Sequence, residues 1–569
     1  MSTTIIPGIL ILKGNKTYGR MQTTDFKNVK TVNLKDNKTN LKEGKLLYKF
    51  IPSKLRDSNY IRPHCLIPYE IKQLGFSKVL DNLYVLISDE NKLIETIGPV
   101  SSNEAFYEYQ LHCHGLKQSS TVFKNKIMKS LKNYKDDETE FKEGPIEEIN
   151  RLYNLEQRID LSWYIFSIDP EGSTDFDDAF SIKKLDNENL LLSIYIANVP
   201  IWLDWLSNTN PDINLDELNK ISTIYLSNTK YPMLPNILSD NLCSLWAKKK
   251  RLAFTLDLEI DKDYNIIKTS FCNTLISVRK NWTYDDPHLV LNEHYIRLLN
   301  CVNKMNKKEV SLLEQSSNSN LALEDRDAKH LLTSRDRDAL HLLTSLRVIN
   351  DSHKLVEYLM IDMNCICGKI LFDNNKQAIY REASDSNPAS DLNPVTEEKS
   401  FELNKILRKI KACYTKQITD LPIFHDMLEK ESYIHITSPI RRLVDILNMI
   451  SIQKLFGLTT FSDKINDFFN RWFQDEQIIH INEISKKIKS VQNKCNLLHL
   501  ITNNYVPETI LEGYVIDETT FYIPEYKLQC KIKNNSDIKY NLYSKYKCKL
   551  YLFEESDSLN RKIRVDIII

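Results

Sequence analysis

The sequence predicts an α+β multidomain protein, with a central mixed α/β domain flanked by small β-barrels. Three observations carry this expectation. A chain of 569 residues exceeds what one hydrophobic core can organise and should divide into about three or four domains. Both ends consist of short apolar runs broken by polar, Gly and Asn turns, as strands of small barrels do. The middle instead mixes apolar strand runs with stretches of helical periodicity.

Taken in order, residues 9–12, 46–51 and 83–87 are apolar runs expected as strands of one or two N-terminal barrels. His112-Cys113-His114 has the residue types of a metal site. It reads better as part of a strand, where adjacent side chains point to opposite faces. Residues 136–148 form a charged linker or the capped start of a helix. Strands are expected at 163–168, 179–185 and 190–199. From about 273 to 350 the chain turns polar and is expected to be helical. There DRDAKHLLTS at 325–334 recurs as DRDALHLLTS at 336–345, and an eleven-residue period extends a helix with little rotation of its apolar stripe. Two copies are too few for a solenoid, so the pair is taken as an insertion, with His330 and His341 passive. Helices are expected at 357–371 and 401–414, and strand alternation over 510–569 predicts a closed barrel of OB type.

Composition narrows the function. No segment is long and apolar enough to span a bilayer, and the opening apolar run has no basic residues before it, so neither a membrane span nor a secretory signal is expected. The 11 cysteines are odd in number and lack C-x-x-C pairs, which disfavours a disulfide framework or a zinc site and points to a reducing, intracellular and cytoplasmic setting. Net charge is zero, a mild argument against a nucleic-acid partner, but the charge is unevenly spread. Residues 1–50 hold ten Lys/Arg against three acids. Near the other end Lys527, Lys531, Lys533, Lys539, Lys545, Lys547 and Lys549 alternate with Tyr526, Tyr540, Tyr543, Tyr546 and Tyr551. Such interleaving suits single strands, with cations on phosphates and rings on bases; a solvated β-rich surface is the plainer alternative.

The strongest chemical signal is SIDPEGSTDFDD at 167–178, which puts Asp169, Asp175, Asp177 and Asp178 within ten positions. Any one of them alone is an ordinary turn residue. Crowded together they repel unless cations or protons neutralise them, and Mg²⁺ or Mn²⁺ does so with hard oxygen ligands. Two such ions roughly 4 Å apart can clamp both oxygens of an in-line phosphoryl displacement. A second constellation, YIHITSPIRRLVDIL at 433–447, reads as a helix starting at Ser438-Pro439. Ile440, Leu443, Val444 and Leu447 would form its buried stripe, with Arg441 and Asp445 one turn apart elsewhere. Arginines at a helix N-terminus suit a phosphate, although they could equally pair with nearby carboxylates.

The pair SIDPEGSTDFDDAF and HITSPIRRLVDIL resembles the two signature motifs of the ribonuclease II/R (RNB) family of 3′-to-5′ exoribonucleases. Tyr225-Leu226, Pro232-Met233-Leu234-Pro235, Leu238-Ser239, Cys243-Ser244-Leu245 and Arg251-Leu252-Ala253 resemble a further family stretch. Glu357, Met360 and Asn364 match its E-x-x-M-x-x-x-N helix. The resemblance covers about 160–505. It implies an RNB-type catalytic domain at 151–505 with an insertion at about 300–347, between an OB/cold-shock-like RNA-binding region at 1–150 and an OB-type RNA-binding domain at 506–569.

By this resemblance the four aspartates would hold Mg²⁺ (or Mn²⁺), with Asp177, Asp178 and Arg441 catalytic and Asp177 most critical for turnover. Arg441 would stabilise charge on the scissile phosphate. Tyr225 would stack on a terminal base, core packing being its rival role, and Lys220, Arg251, Arg381, Ser438 and Arg442 would also contact substrate. The implied reaction is processive release of nucleoside 5′-monophosphates from single-stranded RNA, by a monomeric catalytic unit that an RNA-degradation complex could recruit. Several positions depart from the pattern: Met449 stands where the family usually has histidine, Lys220 where arginine is common, and Glu382 to Ser384 replace a histidine neighbourhood. The helix around 490–498 lacks the family's polar helper residues. An RNA-binding protein with an impaired site is therefore the alternative, and a phosphodiesterase of small nucleotides a third reading that leaves the flanking barrels without a purpose.

Overall fold

The structure, a computed structural model, describes residues 5–12, 19–21, 45–53, 63–69, 81–134, 144–321, 349, 351–382, 412–416, 424–425, 430–504, 510–532, 540–554 and 561–568. The tandem copy, residues 401–411 of an expected helix, Lys533, Lys539 and most of the N-terminal basic stretch lie outside the described residues.

A six-stranded sheet organises the centre, in the order Lys250–Ile260, Leu190–Ala197, Asp178–Lys184, Ile165–Asp169, Ile266–Thr283, Glu156–Arg158. The long strand Ile266–Thr283 pairs antiparallel with Lys250–Ile260 over its first part and parallel with Ile165–Asp169 over its last, so the pairings return on themselves. The ring is thinnest between Ile165–Asp169 and Asp178–Lys184, which share a single register pair, Phe166 with Phe180. Strand alternation sends Tyr195 and Ala197 into one core and Ile194 and Ile196 into another. The first core is roofed by helices Val199–Thr209 and Asp463–Trp472, the second by Glu293–Leu321 and Ser352–Asp373. Helix Leu443–Leu455 contributes to both, which explains why it is buried on every side. Met449, one of the departures from the family pattern, is fully buried there as a core residue.

The N-terminal region is a six-stranded sheet, with Gly19–Met21, Lys45–Pro52, Ile5–Leu10, Leu83–Ser88 and Leu93–Pro99 in order and Cys65–Tyr69 also on Lys45–Pro52. The C-terminal strands close a five-stranded barrel in the order Leu511–Asp517, Thr520–Ile523, Leu528–Ile532, Arg561–Ile568, Lys545–Glu554. Leu528–Ile532 and Arg561–Ile568 run parallel, as the expected OB-type barrel requires.

Three expectations on secondary structure are corrected. His112 and Cys113 end a helix, Asn103–Cys113, and His114 caps it. Ser102 Oγ accepts from Ala105 N at 3.1 Å, and Phe106, Tyr109 and Leu111 pack with Ile488, Val491, Cys495 and Leu498, so capping and tertiary packing override aromatic strand propensity. Residues 273–283 are strand, because their polar side chains are used inside the sheet. Asn273 Nδ2 donates to Thr459 Oγ1 at 2.8 Å, and Asn281 Nδ2 to Ser167 Oγ at 2.8 Å. Tyr414, the expected end of a helix, sits in strand Cys413–Lys416, which pairs with Ile379–Glu382. Among the described residues no helix is long and apolar enough to cross a membrane.

Candidate active site

The four aspartates flank the thin seam of the central sheet. Asp169 ends one strand and Asp178 begins the next, with the loop between them folded by Gly172 at φ 77° and a bond from Ser173 N to Pro170 O. That φ favours glycine because any side chain would crowd the backbone. Backbone bonds from Ala197 N to Asp177 O and from Leu245 N to Phe176 O clamp the loop. Ser244 adds a third tie, its Oγ accepting from Phe176 N at 3.0 Å and donating to Thr174 O at 2.9 Å.

Three of the four carboxylates are buried without full satisfaction. Asp169 Oδ2, Asp177 Oδ2 and Asp178 Oδ2 have no hydrogen-bond partner. Burial pushes Asp169 up to about 6, with the charge of Asp175 adding to it. Burial likewise pushes Asp177 up to about 7 against the opposing pull of Arg441 and the Ile440 N–H. Asp178 is raised well above the usual carboxylate range by burial and by the charges of Asp169 and Asp177. Unsatisfied buried carboxylate oxygens are costly, a cost that protonation or a bound cation would relieve.

The second sequence constellation comes directly against them. Ile440 N donates to Asp177 Oδ1 at 2.9 Å, and Arg441 Nε lies 3.1 Å from Asp177 Oδ2, a charge contact without hydrogen-bond geometry. Asp177 is 2% exposed whereas the Arg441 side chain is 45% exposed, so the guanidinium bridges a buried carboxylate and the open surface. The expected helix start is corrected: the helix begins at Leu443, with Arg442 at its N-cap position. Ser438 instead closes a turn, its carbonyl accepting from Arg441 N and Arg442 N and its Oγ from Arg441 Nη2 at 3.0 Å. Ser438 N is taken by Asp445 Oδ1 at 2.7 Å, which also accepts from Arg442 Nη2 at 2.9 Å. Asp445 thus pairs with Arg442 and not with Arg441.

Two asparagines fix this segment. Asn364 Oδ1 accepts from Ile436 N at 2.9 Å, and Asn448 Nδ2 donates to His435 O at 2.9 Å. A Cβ on Gly368 would fall 1.7 Å from Ser432 O, so only glycine lets helix Ser352–Asp373 abut the segment.

A hairpin, Ile224–Leu226 with Thr229–Tyr231, covers the aspartate loop. Its approach strand clasps the arginine turn through bonds from Thr223 N and Ser222 Oγ to Arg441 O, both 2.9 Å. Tyr225, 38% exposed, donates from its hydroxyl to Asp175 Oδ2 at 2.7 Å; burial and the Asp175 charge raise its pKa. The late helix Asp475–His499, where no polar helpers were expected, reaches the hairpin: Gln492 Nε2 donates to Tyr225 O at 3.0 Å and Asn496 Oδ1 accepts from Ser227 Oγ at 3.1 Å.

The remaining candidates sit further back. Lys220 Nζ donates to Pro232 O at 3.0 Å. Arg251, 5% exposed, donates from Nε to Ser244 O at 2.8 Å, behind the serine that ties the aspartate loop. The Arg381 guanidinium lies over the Tyr414 ring at 4.6 Å, and the Tyr414 hydroxyl is 2.8 Å from His435 Nδ1. Lys230 was missed by sequence reasoning, although it stands directly across the hairpin from Tyr225. The two-residue Ser227-Asn228 turn between IYL and TKY was the available signal.

Asp169, Asp177 and Asp178 could hold a divalent cation, since each has a buried oxygen that accepts no hydrogen bond, that of Asp177 facing the Arg441 charge. Among the described residues no three His, Cys, Asp or Glu side chains form a ready-made cage. Mg²⁺ does not require one, because it binds through one or two carboxylates and completes its shell with water and substrate phosphates.

The family model described as "RNB domain" matches residues 158–457. The chain is 25% identical over 398 residues to the "Ribonuclease R" of Thermotoga maritima, covering 61% of this chain and 52% of that protein. It is 22% identical over 470 residues to the "Exosome complex exonuclease RRP44" of Mus musculus, covering 71% and 47%. The chain spans about half the length of these curated relatives. Among solved structures it resembles Mycoplasma genitalium RNase R in complex with ribose methylated single-stranded RNA, with TM-score 0.59, 17% identity and coverage of 99% of this chain and 100% of that one. It also resembles yeast Ssd1, a pseudonuclease, with TM-score 0.52, 13% identity and coverage of 85% and 63%. At such identities these two structures speak for the fold.

Proposed function

The chain belongs to the RNB domain family, and from that premise we propose that it is a Mg²⁺-dependent, processive 3′-to-5′ exoribonuclease that hydrolyses single-stranded RNA to nucleoside 5′-monophosphates. One observation carries the reading: Asp169, Asp177 and Asp178 each bury an oxygen that accepts no hydrogen bond, and that of Asp177 lies against the half-exposed Arg441. A divalent cation held by these aspartates supplies neutralising charge and Lewis-acid polarisation of a phosphate oxygen.

The chain's own residues do the rest. Arg441, anchored by Asp177 and Ser438, offers its guanidinium to the scissile phosphate, where negative charge grows in the transition state. The Tyr225 ring supplies a stacking face for a base near the 3′ end, while its hydroxyl stays tied to Asp175. Hydrolysis adds a water oxygen to phosphorus, breaks the bond to the 3′ oxygen of the preceding nucleotide and returns a proton to that oxygen. The chain emerges one nucleotide shorter. The C-terminal barrel, with Lys545 and Lys547 exposed and Tyr551 41% exposed, suits a strand guided along its backbone. The N-terminal sheet is assigned the same task. The proposal includes a cytoplasmic setting, a monomeric catalytic unit and recruitment by an RNA-degradation complex.

The second reading is an RNA-binding protein without catalysis, favoured by the likeness to a pseudonuclease and by the departures from the family pattern at Lys220 and Met449. The retained aspartates weigh against it, since a cluster so costly to bury has no purpose in a dead site. End-labelled single-stranded RNA incubated with the protein in Mg²⁺, in EDTA and with Asp177→Asn tests both. Loss of the full-length RNA to a short end product, with few intermediates, is expected only in the first lane. Intact RNA in every lane leaves the RNA-binding reading, and equal degradation by Asp177→Asn rejects the site.

A further inference from the structure

We infer that Lys230 is a positioning residue of this site, locking Asp175 to the hairpin that carries Tyr225 and so fixing where the 3′ end of the RNA comes to rest; this builds on the exonuclease reading. The Lys230 ammonium donates to three oxygens from two segments: Thr174 Oγ1 at 2.6 Å and Asp175 Oδ1 at 2.9 Å in the aspartate loop, and Asp240 Oδ1 at 2.8 Å. That uses all the donors a lysine has. Its side chain is 24% exposed, so the contacts are partly shielded from water.

Asp240 is itself a fixed post. Its Oδ2 accepts from Asn236 Nδ2 at 3.0 Å, its Oδ1 from Ser239 Oγ at 3.0 Å and its carbonyl from Trp246 Nε1 at 2.8 Å. Lys230 is the strut from that post to the aspartate loop. Across the hairpin Tyr225 takes the other oxygen of the same carboxylate. Asp175 thus differs from its three neighbours: both its oxygens accept hydrogen bonds from the hairpin, whereas each of theirs has one oxygen that accepts none. Hairpin, base-stacking ring and aspartate loop therefore move as one body, and the strut sets the distance between ring and scissile phosphate.

The test compares the full chain with Lys230→Met, Lys230→Arg and Asp240→Asn on end-labelled RNA, following kcat, KM, the length of the shortest residual fragment and the melting temperature. Lys230→Met is expected to lower kcat about 10- to 100-fold with KM within about 3-fold, and to lengthen the residual fragment. Lys230→Arg keeps charge and donors and is expected to recover most of the rate and the original fragment length. Parent-like kcat and fragment length in a folded Lys230→Met overturn the inference, as does an arginine variant no better than methionine. If Lys230→Met does not fold, Asp240→Asn decides: a lower kcat at unchanged KM upholds the strut, and a parent-like kcat overturns it. A parent that leaves RNA intact overturns both this and the exonuclease reading. A parent that degrades RNA beside an unaltered Lys230→Met overturns this inference alone.

Discussion

Arg441 Nε lies 3.1 Å from Asp177 Oδ2, joining the two motifs that the sequence separates most widely. The pairing is one-sided in its exposure: the carboxylate is buried and the guanidinium half open. An arginine anchored from behind presents a fixed fork to an incoming phosphate without first having to be ordered.

Arg441→Ala should therefore lower kcat by about 10²- to 10³-fold, the usual loss when one preorganised donor to a developing charge is removed. Arg441→Lys should restore little, because a point charge cannot hold Asp177 and Ser438 and still face a phosphate. Single-turnover cleavage at saturating RNA measures both. A fully active lysine variant would show that charge alone suffices.

Protonation of the aspartates should couple stability to the divalent ion. Burial raises Asp169 to about 6 and Asp177 to about 7, above the unfolded carboxylate value. The folded chain then binds more protons than the unfolded chain between about pH 4 and about pH 7, so the metal-free contribution of these groups to stability falls as pH rises through that window. A cation binding the ionised form reverses the penalty. The gain in melting temperature on replacing EDTA with Mg²⁺ should be larger at about pH 8 than at about pH 5; the opposite order would contradict the assignment.

The two parts of Tyr225 should separate by substitution. Tyr225→Phe keeps the ring and loses the bond to Asp175, which Lys230 still holds, so the residual RNA fragment should keep its length. Tyr225→Ala removes the stacking face and should lengthen it. Denaturing gels of the end products read this directly, and equal fragments from the alanine variant and the parent would return Tyr225 to a packing role.

Gly368→Ala should destabilise the chain by roughly 1–3 kcal/mol, since the added carbon falls against the Ser432 backbone and not against a side chain that could rotate. Urea denaturation measures the loss. Because the displaced segment leads into Arg441, kcat should fall as well; a variant as stable and as active as the parent would mean the helix can shift without moving the site.

How much of this was legible in the sequence depended on how locally each feature is determined. Asp169, Asp175, Asp177 and Asp178 announce themselves because like charges so close need a reason, and their strands follow from period-two runs. The helix start after Ser438 was misplaced, because the Ser438 N–H goes to the Asp445 carboxylate and the turn precedes the helix, a choice that local capping preference does not reveal. Arg251 has the residue type of a phosphate contact, yet its burial behind Ser244 belongs to the three-dimensional fold. Lys230 stayed hidden for the converse reason: its partners Thr174 and Asp175 on one side and Asp240 on the other come from two segments that only the fold brings together.

The most direct measurement is a crystal of the protein soaked in Mn²⁺ and recorded at the manganese edge. An anomalous peak touching the Asp169, Asp177 or Asp178 oxygens that accept no hydrogen bond, on the Arg441 side of the loop, is the expected result. A map with no peak there, from protein that degrades RNA in the same Mn²⁺ buffer, would contradict the central claim.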